Sequence, residues 1–228
     1  ATTSLSSSSV IDIRQGATLD VSASGLAIAA PNTLSGSGTI IGAVTANGAK
    51  VTPGGFNAAG TLTLNNQFTL SGASLGYDLS SDPSTAGSGV NDLLSVGGDL
   101  TLSGVNNVTL NALNGTLVSG TYRLIDYSGT LAGSAANFAI AGSANGSRRT
   151  FTFDTSTPGQ VNLVIAGSDP FNLVWKGNGT TNRWNVNGDL NGNNNAEKFF
   201  NLDSVTGDDT GTNTPNSELV GDLAPIAI

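Results

Sequence analysis

Reactive side chains are scarce in this chain. Its 228 residues include no cysteine, histidine or methionine. That removes disulfides, thiol nucleophiles, imidazole bases, and thiolate or imidazole metal ligands. Carboxylates, carboxamides, hydroxyls and a few aromatics remain. Glycosidic cleavage needs two carboxylates at a fixed separation. Here Asp12, Asp20, Asp78, Asp99, Asp126 and Asp154 fall singly beside strand-like runs, as solvated outward residues do. Lyase chemistry needs a clustered base, yet Lys50, Lys176 and Lys198 are scattered. Isopeptide crosslinks would need a buried acid beside the lysine, and the preferred reading of these three is as ordinary surface residues. No catalytic residue is assigned, and the chain reads as a non-enzyme with no cofactor.

Oxygen ligands are the one route to a metal. Asp189-x-Asn191-x-Asn193-x-Asn195 resembles the opening of a calcium loop. An EF-hand requires Gly at its sixth position and Glu at its twelfth. Asn194 and Phe200 stand there instead, so the EF-hand reading fails. Asp189, Asn191, Asn193, Asp208 and Asp209 stay as candidate calcium ligands in a less regular site, against the preferred reading of a solvated polar turn. Trp175 and Trp184 could stack on sugar rings. The preferred role for them is a small apolar core with Phe171, Phe199 and Phe200, because the segment has little else to bury.

Charge narrows the partners. Lys and Arg number 8 against 16 Asp and Glu, a formal net charge of −8. An acidic, lysine-poor surface repels phosphate, which disfavours nucleic acid and anionic membranes. Arg148-Arg149 is the only basic pair and reads as a solvated turn. No stretch approaches the ~20 apolar residues of a membrane-spanning helix. Ala1–Ser9 has no basic region followed by an apolar one, so an exported protein of this sequence is expected to be part of something longer. Richness in Ser, Thr, Asn and Gly with few charges points to a secreted or cell-surface bacterial protein.

The elements that position these residues are short strands. Thr-Leu-Ser-Gly occurs at Thr33–Gly36, Thr69–Gly72 and Thr101–Gly104, with Thr-Leu-Ala-Gly at Thr130–Gly133. Repetition at this scale belongs to stacked units, each of which buries its apolar face against a neighbour. Period-two runs are expected as strands at Val10–Ile13, Thr18–Val21, Leu26–Ala29, Thr39–Val44, Ala49–Thr52 and Thr61–Leu64. They continue at Gln67–Leu70, Ser74–Leu79, Asp92–Val96, Asp99–Leu102 and Asn107–Leu110. The last set is Thr121–Tyr127, Asn137–Ile140, Thr150–Asp154 and Gln160–Ile165. Their spacing fits an antiparallel sandwich or a parallel β-helix. Strand brevity and the scarcity of hairpin dipeptides favour the β-helix. About eight coils of roughly 20 residues would make a rod of roughly 40 Å, at ~4.8 Å per coil. Stacked Ser, Thr and Asn are expected to hydrogen-bond their copies above and below. A composition shift places a boundary near 168: a repeat block over 1–168, then a small Trp- and Asn-rich β module or linker over 169–228.

The order of these runs resembles the autotransporter-associated β-strand repeat family. Gly60-Thr61-Leu62-Thr63-Leu64 is followed by Phe68-Thr69-Leu70, Asn91-Asp92-Leu93-Leu94-Ser95-Val96, Gly98-Asp99-Leu100-Thr101-Leu102 and Gly120–Tyr127. The tail resembles the module between such blocks, through Trp175-Lys176-Gly177, Trp184, Phe199-Phe200 and Asp203-Ser204-Val205. It departs at Gly207, where an aromatic is usual, and lacks a further Trp. The resemblance implies a right-handed parallel β-helix over most of Val10–Ile165 and a place in large bacterial surface proteins with no shared enzymatic activity. The expected role is a structural or adhesive repeat that stacks end to end with itself or with neighbouring repeats. The alternatives are a carbohydrate-binding module, taking cell-surface glycan, and, behind it, a polysaccharide-degrading enzyme.

Overall fold

A strand that alternates apolar and polar residues buries every second side chain, and three such strands joined by sharp corners enclose an apolar column. The computed structural model shows this arrangement. It describes residues 5, 8–55, 57–113, 115, 117–141, 149–167, 173–175 and 200–202. The chain divides into two units, Ala1–Asp169 and Pro170–Ile228.

In the first unit each coil contributes one strand to each of three faces. The first coil is β1 (Val10–Ile13), β2 (Thr18–Asp20) and β3 (Leu26–Ala29). The second is β4 (Thr33–Gly36), β5 (Thr39–Ile41) and β6 (Val44–Asn47), and the third β7 (Lys50–Pro53), β8 (Thr61–Leu64) and β9 (Phe68–Ser71). Next come β10 (Ser74–Leu79), β11 (Leu93–Val96) and β12 (Leu100–Ser103), then β13 (Asn106–Ala112), β14 (Gly120–Tyr127) and β15 (Leu131–Ala132), and finally β16 (Phe138–Ile140). The first face has the order β1-β4-β7-β10-β13-β16, and the third β15-β12-β9-β6-β3. Every pairing in these two faces is parallel. This is a parallel β-helix, and the sandwich alternative does not hold.

Register explains the core. Ile11 pairs with Leu34, Leu34 with Val51, Val51 with Leu75, and Leu75 with Val108. On the third face Leu26, Val44, Phe68, Leu100 and Leu131 line up in the same way. Leu62, Leu94 and Ile125 do so on the second. Like thus stacks on like along three interior ridges. The first coil is less enclosed than the second. Ile11, Val21 and Leu26 keep 6–8% exposure, whereas Leu34, Ile40 and Val44 keep 0–1%.

Corners need residues without Cβ. At Gly36 (φ 109°) a Cβ would lie 2.1 Å from the carbonyl oxygen of Ile13 in the preceding coil. Thr39–Val44, expected as one strand, is two: the chain turns at Gly42, whose N–H donates to Asn66 Oδ1 at 2.9 Å. Thr33–Gly36, noted only as a repeated phrase, is strand β4. The later phrases fall on the third face instead, where Thr69 pairs with Thr101. There Thr101 pairs with Ala132, not with Thr130, so the last copy slides by one full alternation and keeps its inward leucine.

Coil length also departs from expectation. Bonds between adjacent coils span 23 residues from Asp12 to Ser35 and 24 from Gly42 to Asn66, but 32 from Gly60 to Asp92 and 33 from Ala73 to Asn106. Later coils carry excursions, so the first face has six strands rather than eight. Five steps of ~4.8 Å make a stack of about 24 Å, not 40 Å. The threonines of the third face do stack in register, Thr45 with Thr69 and Thr69 with Thr101. Many cross-coil side-chain bonds nevertheless go to backbone. Buried Asn106 accepts from Ala73 N–H at 2.9 Å and donates to Asn137 C=O at 3.2 Å.

The second face ends differently. After β2, β5, β8, β11 and β14 come β18 (Gln160–Ala166), antiparallel to β14, and β17 (Thr150–Asp154), antiparallel to β18. Phe153 of this hairpin stacks on Phe138 of β16, ring centroids 5.2 Å apart. In the second unit β19 (Leu173–Trp175) and β20 (Phe200–Leu202) pair antiparallel, with Trp175 opposite Phe200.

Candidate functional groove

Outward positions of successive coils fall into rows on the first face. Val10, Thr33, Lys50, Ser74 and Asn107 form one row. Asp12, Ser35 and Thr52 form the next. That row continues past Gly76, which pairs with Thr109. A Cβ at Gly76 would lie 2.8 Å from Thr52 Cγ2, so the Thr52 methyl already fills the space over the glycine. The rows bound an open groove of about 640 Å³ that runs across the strands. Asp12, Ser35, Thr52 and Thr109 lie along it, Lys50 on one side, and Asp78 and Asn111 on the other.

Internal bonds hold its charges in place. Asp12 accepts from Ser35 Oγ at 3.1 Å and from Arg14 Nε at 3.3 Å. Asp78 accepts from Ala58 N–H at 2.8 Å and from Asn111 Nδ2 at 2.6 Å. Asn111 also donates to Asn57 Oδ1 at 2.9 Å. These bonds tie the turn after β7 against the edge of the face. Asp78 was expected as a solvated outward acid. Its side chain does project from the outward side of β10, but this turn covers it to 5% exposure.

Beneath lies a carboxylate that the sequence did not single out. Asp92 is fully buried. It accepts from Gly60 N–H and Asp78 N–H, each at 2.8 Å. Burial pushes its pKa up to about 8; the two N–H bonds pull it down, and the Asp78 charge adds to the rise. The Tyr77 hydroxyl, also buried, has no hydrogen-bond partner among the described residues. Its pKa is raised by burial first and by the Asp92 charge second. Gly54 completes the corner: at φ 72°, a Cβ there would lie 2.0 Å from Ala58 O and 2.5 Å from Asp92 Oδ1. The sequence signal was present as an Asn-Asp pair after a Gly-rich loop and directly before the apolar strand β11. Asn91 does the same work one residue earlier, accepting from Ser80 N–H and donating to the carbonyls of Asp82 and Thr85.

Of the remaining strand-flanking acids, Asp20 and Asp154 bind within their own turns, Asp99 reaches the next coil, and Asp126 lies 3.6 Å from Arg123 Nη1. Asp20, Asp99 and Asp154 each accept from a nearby backbone N–H. Hydrogen bonds from Ser22, Thr130 and Ser156 lower their pKa values. Serine and threonine bonds in the Asp82 turn hold that acid at about 2. The calcium candidates Asp189, Asn191, Asn193, Asp208 and Asp209 lie outside the described residues, as does Trp184. Trp175 is placed only as the end of β19. Among the described residues no group of three or more acids is disposed to hold a metal ion, and no helix is long and apolar enough to cross a membrane.

Fold and groove together define a β-helical scaffold with a groove on its first face. Over 123 residues, 54% of its length, the chain is 37% identical to the adhesin BmaC autotransporter of Brucella suis biovar 1 (strain 1330). It covers 3% of that protein, so it corresponds to a small piece of a far longer chain. No family model matches the sequence, and no solved structure matches it.

Proposed function

We propose that this chain is a structural and adhesive segment of a bacterial cell-surface protein, and that it carries no catalysis. The β-helix supplies a stiff support on which polar faces are displayed. The carrying observation is the set of in-register parallel stacks, joined to a 37% identity with a protein named as an autotransporter adhesin. Antibody raised against the chain should label intact cells of the source bacterium. Labelling only after lysis would overturn the surface assignment.

Edge strands support end-to-end association as part of this reading. Among the described residues β1, β2 and β3 each have a neighbour on one side only. Parallel edges accept further β-structure, from another coil or another copy. At the opposite end of the second face the antiparallel hairpin occupies the edge where a parallel strand would add. On the first and third faces that end leaves β16 and β15 with one neighbour each, so both ends can take part in stacking. Electron microscopy of native material at low salt should show thin rods joined end to end. Discrete single particles at all concentrations would remove this part of the reading.

A further inference from the structure

We infer that the groove on the first face is a binding site for an uncharged, extended saccharide chain. The inference deepens the adhesive reading and rests on it for its cellular setting only. The backbone across the floor is already paired, β1 to β4, β4 to β7, β7 to β10 and β10 to β13. A peptide strand would therefore find no free edge along the floor between β4 and β13. The polar groups of the lining are side-chain hydroxyl, amide and amine. Thr52 and Thr109 lie along the groove with Lys50 beside them, while the Ser35 hydroxyl and the Asn111 amide N–H groups are already donated to Asp12 and to Asp78 and Asn57.

Spacing selects the same ligand. The groups recur at the strand separation, ~4.8 Å, over about 19 Å from β1 to β13. That repeat is close to the length of one pyranose ring in an extended glycan. Charge selects an uncharged chain. The Asp12 carboxylate is engaged by Arg14 and Ser35, and Asp78 by Ala58 and Asn111. The two acids and two bases of the groove balance, while the molecule as a whole carries −8 and repels polyanions.

An array of neutral oligosaccharides of four or more sugars, probed with the purified chain, should yield at least one binder. Titration of ¹⁵N-labelled protein with that oligosaccharide should then shift the amides of Ser35, Thr52 and Thr109 saturably. Thr52→Arg, which fills the groove, should weaken binding tenfold or more. Lys50→Ala, at an exposed position that the fold tolerates, should weaken it severalfold. Thr69→Arg, on the equally flat third face, should leave it unchanged. Absence of any binder, shifts confined to other faces, or equal weakening by Thr52→Arg and Thr69→Arg would overturn the inference. Those results would leave the surface assignment standing, because cell labelling tests it separately.

Discussion

At the residue scale Asp92 sets how stability responds to pH. Its folded pKa is about 8, above the ordinary 3.8, so the folded state keeps a proton that the unfolded state has released. Stability is then greatest at the acid end of that window and falls as pH rises from about 4 to about 8, by up to ~1.4 kcal/mol per pH unit. Asp20, Asp82, Asp99 and Asp154 have the opposite sign. Their contribution is present above the ordinary carboxylate pKa and is lost as pH falls through their lowered values. Urea denaturation over a pH series should place maximal stability near pH 4–5, and Asp92→Asn should abolish the decline between there and pH 8. An unchanged slope in that variant would remove Asp92 as its source. The residue was hard to see in the sequence because burial of an acid is a property of the corner around it. Outward position on β10 said that Asp78 should be solvated; a turn 20 residues earlier in the chain decides otherwise.

At the scale of the elements, alternation was legible because it reports which side of a strand is buried. Leu62-Thr63-Leu64 and Leu100-Thr101-Leu102 form strands whose leucines point inward. Corners were less legible. Gly42 reads equally well as a small residue within a strand, and only the packing of the next coil shows that the chain must turn there. Coil length was hidden for a related reason: an excursion such as the one after β10 changes the count without changing the strands. The ladders make the cost of truncation depend on the face. Leu70→Ala, at a fully buried rung, should cost about 2–5 kcal/mol. Asn106→Ala should cost about 1–3 kcal/mol by leaving the buried Ala73 N–H without its acceptor. Thr69→Ala, pointing outward, should stay within about 0.5 kcal/mol. Denaturant midpoints of the three variants check the ranking, and a loss at Thr69 equal to that at Leu70 would contradict the assignment of faces.

For the whole repeat unit the two ends differ on the second face. The β1–β3 end presents parallel edges, while the antiparallel hairpin shields β14 on the second face. Leu163, fully buried in β18, anchors that shield. Leu163→Asp should loosen the hairpin, expose the β14 edge and cause concentration-dependent self-association, read by light scattering during size-exclusion chromatography. A variant that stays monomeric while losing the hairpin, judged by protease cleavage within β17–β18, would show that the shield has no such role.

The direction of the backbone bonds carries a mechanical consequence. Strand-to-strand hydrogen bonds in the coils lie along the stack, from one coil to the next. A pull applied to the two ends of the stack would load those coils in series, so the weakest would yield first while the others held. Each later coil of about 30 residues, once peeled away, would release about 100 Å of extended chain. A stack of this kind would lengthen in steps under tension.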